Sequence, residues 1–153
     1  MTETHMEILL VEDNVKDLKL ALSALQDENL SNHIEVARDG EEALDFILCR
    51  GPYSGRRFDR PPRLVLLDLK LPKVDGLEVL KVIKSDPRTK AIPVVILTAS
   101  KEEQDLVEGY KLGVNSYIQK PVDFDQFRQI VKQLGLFWLV VNQPPPPAAF
   151  SGK

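Results

Sequence analysis

The amino-acid sequence predicts an α/β fold, a doubly wound sheet of five parallel strands with helices on both faces. Five short apolar runs alternate strictly with five amphipathic helical patterns, which is typical of parallel strands joined by helical connections. One of the runs, residues 64–68, is apolar up to its last residue, as expected of a strand covered on both faces. The 153 residues of the chain suit one domain.

The first half of the chain contains two strand–helix pairs and a third strand. Residues 7–11 form the first predicted strand, and Asn14 follows as a residue able to cap a helix. A weaker strand at 34–37 precedes a helix that opens at residues 39–40, and the third strand follows at 64–68. The two helices are marked by apolar residues spaced along one helical face: Leu18, Ala21, Leu22 and Leu25, then Ala43, Leu44, Ile47 and Leu48.

The second half continues the same alternation. A turn at 71–76 leads into a third helix that stops at Asp86 and Pro87, and predicted strands at 92–98 and 116–121 flank a fourth helix closed by a glycine. Apolar spacing marks the last three helices: Leu77, Leu80 and Ile83; Leu106, Val107 and Tyr110; and Phe124, Phe127, Ile130, Val131 and Leu134.

Composition excludes several classes of protein. The net charge of −3 gives no footprint for nucleic acid, and the single cysteine, Cys49, cannot form an internal disulfide. The longest apolar run, residues 136–141, is too short to cross a bilayer, and the N-terminus lacks the pattern of a signal peptide. We therefore expect a cytoplasmic protein with no membrane or direct nucleic-acid contact.

Charged and hydroxyl side chains stand at the carboxyl ends of the predicted strands, the edge where open parallel sheets bind ligands. They are Glu12, Asp13, Asp68, Thr98 and Lys120. Three close carboxylates repel one another unless a cation neutralises them, and oxygen ligands without His or Cys favour Mg²⁺ over zinc. The hydroxyl and the ammonium suit an anion beside the metal, such as a phosphoryl group.

Five stretches of sequence, spread over about residues 6–135, carry a family resemblance: residues 9–14, 66–72, 75–76, 95–99 and 120–121. Their order and positions resemble the receiver domain of bacterial two-component response regulators. That family has the flavodoxin/CheY-like (βα)5 fold, in agreement with the predicted alternation.

The resemblance implies a role for each residue at the predicted edge. Asp68 would accept a phosphoryl group from a phosphohistidine of a sensor histidine kinase. Asp13, Asp68 and the backbone carbonyl of Lys70 would bind Mg²⁺ directly, with Glu12 acting through a water molecule. Lys120 would pair with Asp68 and then with the phosphoryl group.

The resemblance also implies a conformational switch. Thr98 would move to hydrogen-bond the phosphoryl group, and Tyr117 occupies the position of the aromatic ring that then turns inward. The alternatives for these two residues are a helix cap and ordinary packing.

Two segments depart from the usual receiver pattern. Residues 50–63 form an insertion with five arginines and one aspartate, either a solvated loop or a docking surface for an acidic partner or a second subunit. Residues 136–141 extend the last helix with apolar side chains all round, which favours a homodimer over a segment folded back on its own domain. The candidate interface residues are Phe137, Trp138, Leu139 and Val141.

Together these departures resemble the small response regulators that partner cyanobacterial phytochrome kinases. We expect a receiver domain at 1–141 and a proline-rich, disordered tail at 142–153. No output domain is recognisable, so the signal would pass through protein–protein contacts.

Three alternative functions fit the residues of this edge less well. A phosphatase with an aspartyl-phosphate intermediate generally has a second Asp where this chain has Lys70. A flavin-binding module would meet repulsion between its phosphate and residues 12–13. A receiver that serves only as a scaffold would lack some required side chain, whereas all are present here.

Overall fold

A computed structural model describes residues 7–27, 33–99, 102–120 and 123–134 of the chain. The strands are β1 Glu7–Val11, β2 His33–Ala37, β3 Leu64–Leu67, β4 Val94–Thr98 and β5 Ser116–Gln119. The helices are α1 Val15–Asp27, α2 Gly40–Ile47, α3 Gly76–Ser85, α4 Glu103–Lys111 and α5 Phe124–Leu134. The predicted alternation of five strands and five helices is confirmed.

The five strands form one parallel sheet in the order β2-β1-β3-β4-β5. The chain therefore changes direction across the sheet between β1 and β3, which is where open α/β sheets bind ligands. Val11 is level with Leu67, and Leu67 with Ile96. The residues that follow these strands thus emerge beside one another.

Alternate strand residues supply two separate cores. Leu9, Val65 and Ile96 face one side of the sheet and pack with the residues of α2 and α3. Leu10, Leu66 and Val95 face the other side, with apolar residues of α1 and α5. Because side chains alternate along a strand, a strand buried on both faces is expected to be apolar, as β3 is throughout and β4 is up to Thr98.

Side chains cap the first two helices. The Asn14 side chain accepts a hydrogen bond from the Asp17 N–H at 3.1 Å, and Asp39 accepts one from the Glu42 N–H at 2.7 Å. These bonds satisfy donors that have no partner within the helix. The predicted cap at Asn14 is confirmed.

The insertion at 50–63 is partly ordered by its own arginines. The Arg56 guanidinium stacks on the Phe46 ring at 3.6 Å from the centroid and also donates to the Phe46 carbonyl. Arg57 pairs with Asp59 at 2.6 Å. A 3-10 turn spans Gly51–Tyr53 within the insertion, because the fixed φ of Pro52 suits the first turn of a helix.

Helix α4 differs from the other helices in how it meets the sheet. Its apolar residues Leu106, Val107 and Tyr110 are exposed by 39%, 43% and 53%. Gly109, in contrast, is buried so close to the sheet that a Cβ at this position would stand only 3.1 Å from the Ile96 side chain. The predicted apolar residues mark a helix, but they do not form its buried face.

The remaining predicted segments fall outside the described residues. These are the apolar extension at 136–141 with its interface candidates and the tail at 142–153. Within the described part of the chain, no helix is both long and apolar enough to cross a membrane.

Candidate functional site

The three predicted carboxylates converge at the carboxyl edge of the sheet. The backbone N–H of Asp68 donates to Val11 O at 3.1 Å, and that of Glu12 donates to Ala37 O at 3.0 Å, so the ladder continues one residue beyond the strands. Glu12, Asp13 and Asp68 each have a carboxylate oxygen within 4.8 Å of the other two. Oxygen donors at this spacing fit a hard divalent cation.

The ammonium group of Lys120 lies among carboxylates at this edge. Lys120 Nζ donates to Glu12 Oε1 at 2.6 Å, to Asp17 Oδ2 at 2.8 Å and to Asp68 Oδ2 at 3.4 Å. The Lys120 N–H also donates to Thr98 O at 2.7 Å, which ties the lysine to the end of β4. The predicted contact between Lys120 and Asp68 is present, although the two other carboxylates lie closer.

Burial and charge act in opposite directions on the ionised groups. Burial raises the pKa of Glu12 to about 7, against the lowering effect of Lys120. Burial alone would lower the pKa of Lys120, but hydrogen bonds to Asp17 and Glu12 and the charge of Asp68 raise it to about 12. Lys120 is therefore protonated at neutral pH, and its positive charge is a permanent part of the site.

The chain beyond β3 turns tightly around Asp68. The Lys70 N–H donates to Asp68 Oδ1 at 3.3 Å, and the Gly76 N–H donates to Leu69 O at 2.9 Å. Lys70 itself is exposed, and its ammonium lies 3.6 Å from Asp105. This turn holds the Asp68 carboxylate at the carboxyl edge of the sheet. Asp68 is buried there, with only 7% of the residue exposed.

The two residues expected to form the switch lie on neighbouring strands. Thr98 is the last residue of β4 and is fully buried, and Tyr117 is half-buried on β5 beside Ile96. Tyr117 packs against the same core as α2 and α3. Tyr117 thus stands on the strand that leads to Lys120, and Thr98 ends the strand between β5 and β3, the strand that leads to Asp68.

Asp17 is the site residue that the sequence did not reveal. It lies in the first turn of α1, where a carboxylate is favoured by the helix dipole whatever its function. Its side chain nevertheless contacts Lys120, 103 positions away in the chain. The only sequence signal is the spacing of Asp17 from the cap residue Asn14. Asp17 comes about one helical turn after the cap and therefore lies on the side of α1 near the end of β1.

Comparisons with known proteins agree with this geometry. The model of the family described as the response regulator receiver domain matches residues 8–132. The probable methanogenesis regulatory protein FilR2 of Methanothrix harundinacea is 46% identical over 142 residues, covering 92% of this chain and 88% of the relative. The response regulator Rcp1 of Synechocystis sp. is 40% identical over 132 residues, covering 86% of this chain and 88% of the relative.

Two solved structures share the fold over most of the chain. The crystal structure of the phosphorylated cyanobacterial phytochrome response regulator RcpA matches with a TM-score of 0.84 and 44% identity, covering 92% of this chain and 99% of that one. The crystal structure of the Mn²⁺-bound form of Rcp1 matches with a TM-score of 0.81 and 38% identity, with the same coverage. The predicted fold class is confirmed.

Proposed function

Because the chain belongs to the response regulator receiver domain family and is a switch of two-component signalling, we propose that Asp68 is its phosphoacceptor. The observation that carries this proposal is the placement of Asp68. Its buried carboxylate lies 3.4 Å from the Lys120 ammonium, and one of its oxygens groups with those of Glu12 and Asp13. A nucleophile between a fixed cation and a metal site is equipped to receive a phosphoryl group.

The chemical step is a substitution at phosphorus. A carboxylate oxygen of Asp68 attacks the phosphorus of a phosphohistidine, the P–N bond breaks, and an acyl phosphate forms on Asp68. The electron pair of the broken bond returns to the imidazole of the partner, which takes up a proton. Lys120 lies close enough to stabilise the charge that develops on the phosphoryl oxygens.

Receiver domains bind a divalent metal, and we assign this role to Mg²⁺ here. Asp13, Asp68 and the backbone carbonyl of Lys70 would hold the ion directly, with Glu12 bound through a water molecule. The buried Glu12 and Asp68 and the half-buried Asp13 supply the hard oxygen ligands that the ion prefers. The bound ion would shield the phosphoryl charge from these carboxylates.

The same side chains would serve the hydrolysis of the acyl phosphate and the conformational switch. Self-catalysed phosphorylation and hydrolysis use one geometry, because both pass through in-line displacement at phosphorus. Thr98 would hydrogen-bond the phosphoryl group, and Tyr117 would follow it inward as the population shifts between two states.

A sensor histidine kinase is the proposed phosphodonor, and a phytochrome kinase is the specific candidate. The support is similarity to RcpA, described as a cyanobacterial phytochrome response regulator, and to Rcp1. We also propose a cytoplasmic location and signalling through protein contacts without direct binding to nucleic acid.

Mass spectrometry of the intact protein tests the central proposal. Incubation with acetyl phosphate and Mg²⁺ should add one phosphoryl group to the wild type and none to Asp68→Asn. Asp75→Asn is the matched control, since Asp75 is exposed at the same edge of the sheet and should leave the adduct intact. No adduct on the wild type with acetyl phosphate or with a phosphorylated kinase would overturn the proposal.

Homodimerisation through the last helix and its extension is a separate proposal. It is supported by the apolar sequence at 136–141, and in particular by Trp138. Equilibrium sedimentation should show a dimer for the wild type and a monomer for Trp138→Asp. Monomers in both cases would reject it.

A further inference from the structure

The Lys120 ammonium is saturated by carboxylates in this structure. A lysine has three N–H donors, and Lys120 directs hydrogen bonds to Glu12, Asp17 and Asp68. A phosphoryl group on Asp68 would bring new acceptor oxygens to the same ammonium. One N–H of Lys120 can pass from Asp68 to the phosphoryl oxygens, and a second can do so only if Lys120 releases Glu12 or Asp17.

The three carboxylates differ in what their release would cost. The side chains of Glu12 and Asp68 are only 3% and 8% exposed, whereas that of Asp17 is 37% exposed. A buried carboxylate that loses its cation keeps an uncompensated charge, which is strongly unfavourable. Asp17 can instead be solvated by water, so breaking its ion pair with Lys120 costs the least free energy of the three.

The position of Asp17 is also fixed independently of Lys120. Its backbone N–H donates to the Asn14 side chain at 3.1 Å, and the Asn14 N–H donates to Glu12 Oε2 at 3.2 Å. The turn between β1 and α1 thus presents Glu12 and Asp17 to the same ammonium. Asp17 can leave Lys120 without any rearrangement of the backbone.

We propose that Asp17 is a positioning residue, the exchangeable partner that occupies one N–H of Lys120 before phosphorylation and releases it to the phosphoryl group afterwards. This inference rests on the proposed function of Asp68. In the structure the Lys120 ammonium lies closer to Asp17, at 2.8 Å, than to Asp68, at 3.4 Å.

The variant Asp17→Asn tests this role through two ligands with opposite expected responses. With the competing carboxylate removed, beryllofluoride, a noncovalent phosphoryl analogue, should bind roughly 3- to 10-fold more tightly at saturating Mg²⁺, because Lys120 is free to contact it. Mg²⁺ alone should bind roughly 3- to 10-fold more weakly, because the edge loses one negative charge and Lys120 turns toward the metal ligands. Amide NMR titrations of the full chain measure both affinities.

Two further variants control for charge and folding. Asp75→Asn removes an exposed carboxylate from the same edge without touching Lys120 and should leave both affinities within about twofold of the wild type, while Asp17→Glu should restore wild-type behaviour. A variant that merely loosened the fold would weaken both ligands. Parallel loss of both affinities, or no change in either, would overturn the role of Asp17. Failure of the wild type itself to bind beryllofluoride would instead count against the proposed function of Asp68.

Discussion

Gly76 lies against the backbone of Asp68 with no room for a side chain. A Cβ at Gly76 would stand 2.2 Å from Asp68 O and 2.5 Å from Leu69 Cα. Both neighbours are backbone atoms of the turn that carries the candidate phosphoacceptor. The start of α3 and the rim of the sheet are therefore packed directly against each other at this point.

Substitution Gly76→Ala should accordingly disturb both stability and phosphorylation. We expect the free energy of unfolding to fall by about 1–3 kcal/mol, as in other overpacked interiors, and the acetyl phosphate reaction to slow because Asp68 is displaced. Urea denaturation and adduct formation over time measure the two effects. Gly55→Ala is the control, since a Cβ there meets nothing within 4 Å. Equal behaviour of the two variants would contradict the close packing.

Asp13→Asn should remove the stabilisation that Mg²⁺ gives to the wild type. An ion that binds only the folded state stabilises it by about 2.7 kcal/mol at a concentration 100-fold above its Kd. The wild type and Asp75→Asn should both show a higher melting temperature when Mg²⁺ is added, and Asp13→Asn should not. A rise of the same size in all three proteins would place the metal elsewhere.

Arg56 should stabilise the insertion more than its neighbour Arg57 does. Arg56→Lys loses the stack on Phe46 and the bond to the Phe46 carbonyl, which we expect to cost about 1–2 kcal/mol of unfolding free energy. Arg57→Lys alters only an ion pair whose arginine side chain is 71% exposed and should cost less than about 0.5 kcal/mol. Chemical denaturation of both variants makes the comparison, and a reversed order would show that the stack is not important.

Lys84 should make the stability of the protein depend on alkaline pH. Burial lowers the pKa of Lys84 from 10.5 to about 8 in the folded state, although its ammonium donates to the carbonyls of Lys90 and Ile92. Between these two values the unfolded chain binds a proton that the folded chain has lost, so stability should rise with pH across that window. Below pH 8 both states are protonated, and the cost of burial is fully present.

The slope in Lys84→Met is the measurement that isolates this lysine. Unfolding free energies from pH 8 to 10.5 should rise less steeply in this variant than in the wild type. Lys81→Met, which removes an exposed lysine of the same helix, should keep the wild-type slope. Identical slopes in all three proteins would show that Lys84 titrates normally.

Most of the fold could be predicted because two physical signals coincide in this chain. Strands such as β3 are apolar throughout, and helices such as α1 repeat apolar residues along one face. The inner face of α4 could not be predicted, because Leu106, Val107 and Tyr110 have the spacing of a buried stripe while a glycine makes the contact. The spacing of apolar residues alone cannot distinguish a helix face that is covered from one that is exposed.

The site could be predicted only where strand ends determine it. Asp13, Asp68 and Lys120 lie at or just beyond the carboxyl ends of predicted strands, so their convergence follows from the parallel sheet. Asp17 stands on a helix, and its contact with Lys120 depends on how α1 is rotated above the sheet. That rotation is set by tertiary packing and leaves no local pattern in the sequence.

The four residues of β3 separate the arginine-rich insertion from the carboxylates of the site. Arg63 precedes the strand and Asp68 follows it, a span of roughly 16 Å at the usual rise per residue. The arginines of the insertion and the carboxylates of the site therefore place opposite charges at the two ends of β3. The electric field of a charged partner would orient the protein before the two make contact. The association rate of the two proteins should therefore fall as added salt screens this long-range interaction.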